Sequence, residues 1–232
     1  MLPDRGYDVL LHSDKVSNMI EPSQFVLYVA AALVLAIAPG PGLFYVAART
    51  LSGGRKDGIA SSLGTAFGGM VHVVAGSLGL SALVLANAQL FSTLKLMGAF
   101  YLVWLGFRTI QTVSHKPNVV FPEIETATSL LKAFREGTIV EALNPKTAAF
   151  FLAFVPQFID PAHGSIALQF VLLGFISVAL NTGADIAIVF IAHRIKTIAA
   201  SCPRLIRNLQ IGSGGVMVAL GVGLALDGHT DR

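Results

Sequence analysis

Charge and cysteine are what this sequence has least of. Only 12% of its 232 residues are charged, against about 25% in an ordinary soluble domain. With 54% hydrophobic residues and a mean hydropathy of +0.71, a disordered chain, a collagen and a nucleic-acid-binding tail are excluded, and a soluble enzyme of ordinary build is disfavoured. The single cysteine, Cys202, excludes an internal disulfide, a CxxC redox pair and a cysteine zinc cluster. There is no GxSxG, no HExxH and no acid pair, so no catalytic residues are expected, and neither a metal site nor a cofactor. The net charge is +3. The basic residues sit between apolar runs, which points to membrane topology rather than to a nucleic-acid partner.

What the chain has instead is long stretches free of charge. Residues 22–48 contain no Asp, Glu, Lys or Arg over 27 residues, and residues 58–94 none over 37. Residues 91–110 are apolar apart from Lys95 and Arg108. Residues 147–159 form a short run of 13, which reaches spanning length only with the preceding turns from about Gly137. Residues 161–184 are charge-free over 24, continuing past Asp185 to Ala192, and 208–226 give a last run of 19. A hydrocarbon core about 30 Å thick takes about 20 residues at 1.5 Å rise each. The fold expected is an all-α membrane protein with six transmembrane helices in two three-helix halves. Lipid offers the backbone no hydrogen-bond partners, and these runs are too long for barrel strands.

Lys and Arg set the orientation. Eleven of them, including Arg49, Arg55, Lys56, Arg108, Arg194 and Arg207, fall in the connections 1–2, 3–4 and 5–6, against four on the other side. The three basic connections are expected in the cytoplasm and both termini outside it. Residues 1–20 are a polar tail without the basic start and apolar run of a signal peptide. Met19 is a candidate natural start, with a short tail as the alternative. Residues 21–232 form the six-span domain.

Two spans are interrupted. Pro39-Gly40-Pro41-Gly42 follows only 14 apolar residues from Phe25 to Ala38, too few to have crossed the bilayer, so the break lies at membrane depth. Asn144-Pro145-Lys146 interrupts the fourth span in the matching position of the second half. Paired breaks of this kind mark the binding site of transporters built from inverted repeats, and three spans per half is an odd number, which inverts one half. Each break frees NH groups that favour a carboxylate and carbonyls that suit an ammonium group.

Polar residues inside the spans are the other candidates. Asp185 stands deep in the fifth span with Asn181 one turn earlier on the same face. A charge there is costly and is a functional hypothesis by default. Three readings stay open for Asp185: a proton carrier, a partner for a substrate ammonium group, or a structural partner of Lys146 or His72. Lys146 binds a substrate carboxylate, pairs with Glu141 or snorkels to the interface. His72 shares a face with Gly64 and Gly68, whose spacing lets another helix approach; it relays protons or bridges two helices as a neutral imidazole. Phe150, Phe151, Phe154 and Phe158 form a lipid-facing or bundle-facing stripe, and Gln157 beside Pro156 is placed to satisfy freed backbone.

On these residues the chain resembles the lysine exporter (LysE) superfamily, in particular its homoserine/threonine exporter (RhtB) branch. The matching pieces are Pro39-Gly40-Pro41, the turn Gly54-Arg55-Lys56-Asp57-Gly58, Gly64-x-x-x-Gly68 with His72, Leu143-Asn144-Pro145-Lys146 followed by Phe151 and Pro156-Gln157-Phe158, and the glycines 212, 215 and 221. The resemblance implies a multi-pass exporter of amino acids or close derivatives (homoserine, threonine, lysine or similar) in a bacterial inner membrane, exchanging substrate for protons. Its partners would be that small-molecule substrate and membrane lipid, with room for a homo-oligomer. It also supplies the alternative, a divalent-metal exporter, since distant relatives move such cations. One buried Asp, one His and two Asn make a thin cage for a metal.

Overall fold

A computed structural model describes residues 22–86, 88–115, 129–201 and 203–227. The N-terminal tail, most of the expected linker between 112 and 128, Cys202 and the last five residues lie outside the described residues. What is described is all α: seven helices, α1 (Pro22–Ile37), α2 (Pro41–Ala86), α3 (Ala88–His115), α4 (Leu130–Ala142), α5 (Pro145–Ala149), α6 (Ile166–Ser201) and α7 (Pro203–Asp227). By length and composition two stretches can cross a membrane unbroken, Pro41–Ala82 and Ile166–Ala192. A third crossing is formed if Leu130–Ala142 and Pro145–Phe158, bent by 46°, act as one.

The prolines that interrupt the apolar runs start helices. Pro41, Pro145 and Pro203 are the first residues of α2, α5 and α7, where the missing NH is one that a helix leaves unpaired in any case and the fixed φ is already helical. Ser129 caps α4, its hydroxyl accepting from Lys132 N at 3.2 Å, and Asn144 caps α5. Beyond α5 the chain widens into a π-helical turn over Phe150–Phe154 and tightens into a 3₁₀ turn over Val155–Phe158. Gln157 Nε2 donates to Ala153 O at 3.2 Å and to Lys95 O at 3.3 Å, the backbone-satisfying role expected of it.

The connection between the first two apolar runs is shorter than the charges suggest. α2 has one non-helical residue, Gly54, at φ 83° and ψ −175°, a conformation essentially reserved for glycine. The bend there is sharp: Gly58 sits against the hydroxyl of Thr50, although eight residues of straight helix would separate them by about 12 Å. Arg49, expected as a loop charge, is therefore not in a loop. It is 1% exposed and belongs to the first arm of α2. Its guanidinium meets the Glu136 carboxylate of α4 and donates through Nε to the Tyr45 hydroxyl at 3.0 Å.

α2 packs chiefly on α4 and α6, and α3 on α7. The α2–α4 crossing depends on small residues. A Cβ on Gly64 would overlap the Phe134 carbonyl, and one on Gly68 would stand 2.6 Å from Thr138 O, so the stripe read from spacing is an approach surface for α4. The core gathers on Tyr28 of α1, which stacks on Phe154 at 5.8 Å and meets Phe158 edge-on at 5.1 Å. Its hydroxyl donates to Leu173 O at 2.8 Å and lies 2.5 Å from Ser177 Oγ. All four phenylalanines of the 150–158 stripe are buried, so that stripe faces the bundle and not lipid. The outer surface is apolar instead: Val26, Leu78 and Met97 are each about two-thirds exposed, as expected where the solvent is hydrocarbon.

Candidate functional site

The two breaks meet. Where α1 ends, the carbonyls of Leu35 and Ala38 point past the last turn, and both accept from Lys146 Nζ at 3.0 Å. A cation at a helix C-terminus is favoured by the helix dipole as well as by the hydrogen bonds. The lysine stem runs along Gly40, where a Cβ would lie 3.1 Å from Nζ and 3.2 Å from Cε. Of the readings open for Lys146, this is closest to a structural one, yet the partner is the first break and not Glu141. The freed carbonyls that suit an ammonium group are thus already held by a side chain of the second break.

Glu141 is turned elsewhere. It is 3% exposed, in the last turn of α4. One oxygen, Oε2, accepts from Asn144 Nδ2 at 3.0 Å, and the other, Oε1, from the Thr147 hydroxyl at 2.6 Å. Asn144 is itself buried and uses its Oδ1 to accept from Lys146 N at 3.0 Å. His72 Nε2 lies 3.2 Å from the Glu141 carbonyl, and its ring stacks on Phe151 with centroids 5.8 Å apart. The histidine therefore bridges α2 and α4.

Asp185 is 1% exposed and meets neither Lys146 nor His72. Its Oδ2 is 2.7 Å from the Thr65 hydroxyl, while Oδ1 is buried without a partner among the described residues. The same hydroxyl lies 2.8 Å from Ser62 O. A threonine carries one hydroxyl proton, and a backbone carbonyl can only accept. That one proton is shared between Ser62 O and Asp185 Oδ2, both of which accept from Thr65.

Between these groups lies a cavity of about 40 Å³, room for a few waters. Its polar lining is Thr65, Glu141, Lys146, Thr147, Ser177 and Asn181. Its apolar lining includes Ala32 and Ala36 of α1, Ala66 of α2 and Phe150. Asn181 is thus at the cavity wall, and Asp185 is one hydrogen bond behind it, through Thr65. Of the sequence candidates, Lys146 and Asn181 line the cavity, while Gly40, Asn144 and His72 contact residues that do. Among the described residues no three of His, Cys, Asp and Glu come together as a metal site.

Sequence reasoning missed Glu141 and Thr65 as cavity residues. The signal for Glu141 was a carboxylate one turn ahead of a helix break. For Thr65 there was none, because its importance depends on which residue of α6 faces it.

The chain matches the model of the LysE type translocator family over residues 33–228. It is 32% identical to an uncharacterized membrane protein of Vibrio cholerae over 81% of this chain and 86% of that one. It is 27% identical to a homoserine/homoserine lactone efflux protein of Salmonella typhimurium, over 87% and 96% of the two chains. To a leucine efflux protein of an Enterobacter species it is 28% identical, over 64% and 70%. No solved structure matches. The chain is a multi-pass membrane protein and belongs to the LysE type translocator family, whose members are transporters and not enzymes.

Proposed function

We propose that the protein exports amino acids or close derivatives across a bacterial inner membrane in exchange for protons. The observation that carries this reading is the meeting of two helix breaks at one polar cavity: Lys146 of the second break holds the open end of α1 at the first, beside a buried carboxylate. Irregular backbone at membrane depth is tolerated where it lines such a cavity. Relatives named for efflux of homoserine, homoserine lactone and leucine support the substrate class. Those three compounds share an amino group beside a carbonyl and little else, so that group is what the site has to recognise.

In this reading the domain of residues 21–232 has six spans, as two inverted halves, with both termini outside the cytoplasm. The breaks at Pro39, Gly40, Pro41 and Gly42 and at Asn144, Pro145 and Lys146 frame the substrate. Lys146 has three NH donors and two are committed, which leaves one for a substrate carbonyl or carboxylate. Asp185 is the coupling residue, exchanging its proton with the cavity through Thr65, and Asn181 shapes the wall beside it. His72 holds the Glu141 backbone in place.

Cells loaded with dipeptides and expressing the protein should release one or a few amino acids faster than control cells. Asp185→Asn, which keeps the side chain's shape and cannot change charge, should abolish that release or its dependence on the proton gradient. Release by Asp185→Asn at the normal rate and with the normal pH dependence would refute the coupling role. No release of any amino acid, with the protein confirmed in the membrane, would refute the function.

A further inference from the structure

We propose that Glu141 receives the ammonium group of the transported substrate and so restricts transport to compounds with a free, protonatable amine. The inference rests on the reading that the cavity carries an amino-acid-like substrate, and it names the group that selects it.

Glu141 is a carboxylate in no ion pair: Lys146 interacts with its charge but does not touch it. It is almost completely buried and lines the cavity. Its two hydrogen-bond donors, the Asn144 amide at 3.0 Å and the Thr147 hydroxyl at 2.6 Å, are both neutral. A carboxylate offers about four lone-pair sites, so each oxygen has one acceptor position left. No cation among the described residues pairs with it. Lys146, five residues on, turns its Nζ to Leu35 O and Ala38 O. A buried carboxylate that no cation touches bears a desolvation cost that its hydrogen bonds offset only in part. A ligand cation would remove that cost, and an ammonium group has the donors to fill the open positions.

The carboxylate is held in place from several sides. A Cβ on Gly42 would overlap Oε2, so the glycine of the first break leaves the space that the carboxylate of the second break fills. A Cβ on Gly68 would lie 2.9 Å from Glu141 Cβ, and His72 reaches the Glu141 carbonyl at 3.2 Å. Asn144 and Thr147 fix the two oxygens. Such a pre-set acceptor discriminates strongly, because a substrate that brings no donor leaves the carboxylate unpaired. The free NH of Lys146 and the acceptor positions of Glu141 face one cavity and carry opposite charge, the arrangement that an amino group beside a carbonyl requires.

The test uses the purified full chain in lipid nanodiscs, with binding measured by calorimetry for L-homoserine, L-homoserine lactone and L-leucine. The N-acetyl derivatives of the lactone and of leucine are measured alongside. Acetylation removes the cation and keeps the rest. The expected result is binding of at least one free amine, at least tenfold weaker binding of its N-acetyl form, and at least tenfold weaker binding of that amine by Glu141→Gln. N-acetyl compounds bound as tightly as the amines, or Glu141→Gln binding unchanged, would overturn the role of Glu141 and leave the transport reading standing. Should Glu141→Gln fail to fold, the comparison of free and acetylated ligands on the unaltered protein decides alone. Binding of none of the amines would overturn both readings.

Discussion

Replacing Lys146 by Met keeps the length of the stem and removes the charge. Two hydrogen bonds are lost, to Leu35 O and Ala38 O, each 3.0 Å long. Both acceptors end α1 at a point where Pro39 and Pro41 supply no NH groups to replace the lysine. Hydrogen bonds to a charged group contribute about 1.5–3 kcal/mol each. Taking the lower end for each bond gives about 3 kcal/mol for the pair. For a chain of this size about 1 kcal/mol moves the melting temperature by about 2–4 °C, so Lys146→Met should melt about 6–12 °C lower. The assay is thermal unfolding in nanodiscs, with Arg207→Met as control. Arg207 is exposed, and its loss should fall within about 0.5 kcal/mol. Lys146→Arg should rescue poorly, because the lysine stem lies against Gly40 and a planar guanidinium needs more room than an ammonium group. A shift no larger than that of the Arg207 control would refute the capping role and return Lys146 to a side chain that merely reaches for the interface.

Two further outcomes are expected. At Gly54 a Cβ meets nothing within 4 Å but the φ of 83° is wrong for it, so Gly54→Ala isolates backbone strain; it should destabilise by about 1–3 kcal/mol, read by thermal unfolding, and an unchanged melting temperature would show that the bend has another origin. Glu136→Ala takes from the buried Arg49 the carboxylate it meets and should lower stability and yield. Exchanging the pair as Arg49→Glu with Glu136→Arg should recover part of that loss, and no recovery would mean that the contact is positional and not electrostatic.

The helix ends were legible in the sequence wherever proline or glycine sets them. Pro39 to Gly42 and Asn144-Pro145 each mark a place where the chain leaves regular helix, because a missing NH acts locally, before any tertiary contact exists; Gly54 stood in a turn that only the family resemblance supplied, and its positive φ is what breaks α2. Gly64 and Gly68 were legible as an approach surface from their spacing of four, which puts both on one helix face. The π-turn at Phe150–Phe154 was not legible. It lies just ahead of Pro156, and which irregular turn the backbone adopts there belongs to packing. Arg49 was misread because charge near a turn is usually solvated. Its burial depends on Glu136, 87 residues away, arriving on α4. Thr65, and the cavity-facing position of Glu141, escaped notice likewise, since what each one faces comes from another helix.

These long-range contacts also give a physical reason for two breaks occurring together. A single break at the end of α1 would leave the Leu35 and Ala38 carbonyls open, with no NH of the prolines that follow to satisfy them; the lysine that satisfies them exists in position only because α5 starts afresh at Pro145. A single break after α4 would leave Glu141 without room, since any side chain larger than that of Gly42 would occupy the place of Oε2. Asn144 ties the two arrangements, donating to Glu141 and accepting from the backbone of Lys146. Each interruption is tolerable because the other is present, so the pair behaves as one unit of polar structure. A displacement of α1 against α4 and α5 has to release Lys146 from both carbonyls at once. The resulting energy step is about 3 kcal/mol by the estimate above, at the upper end of the 1–3 kcal/mol over which ligands commonly bias two conformations.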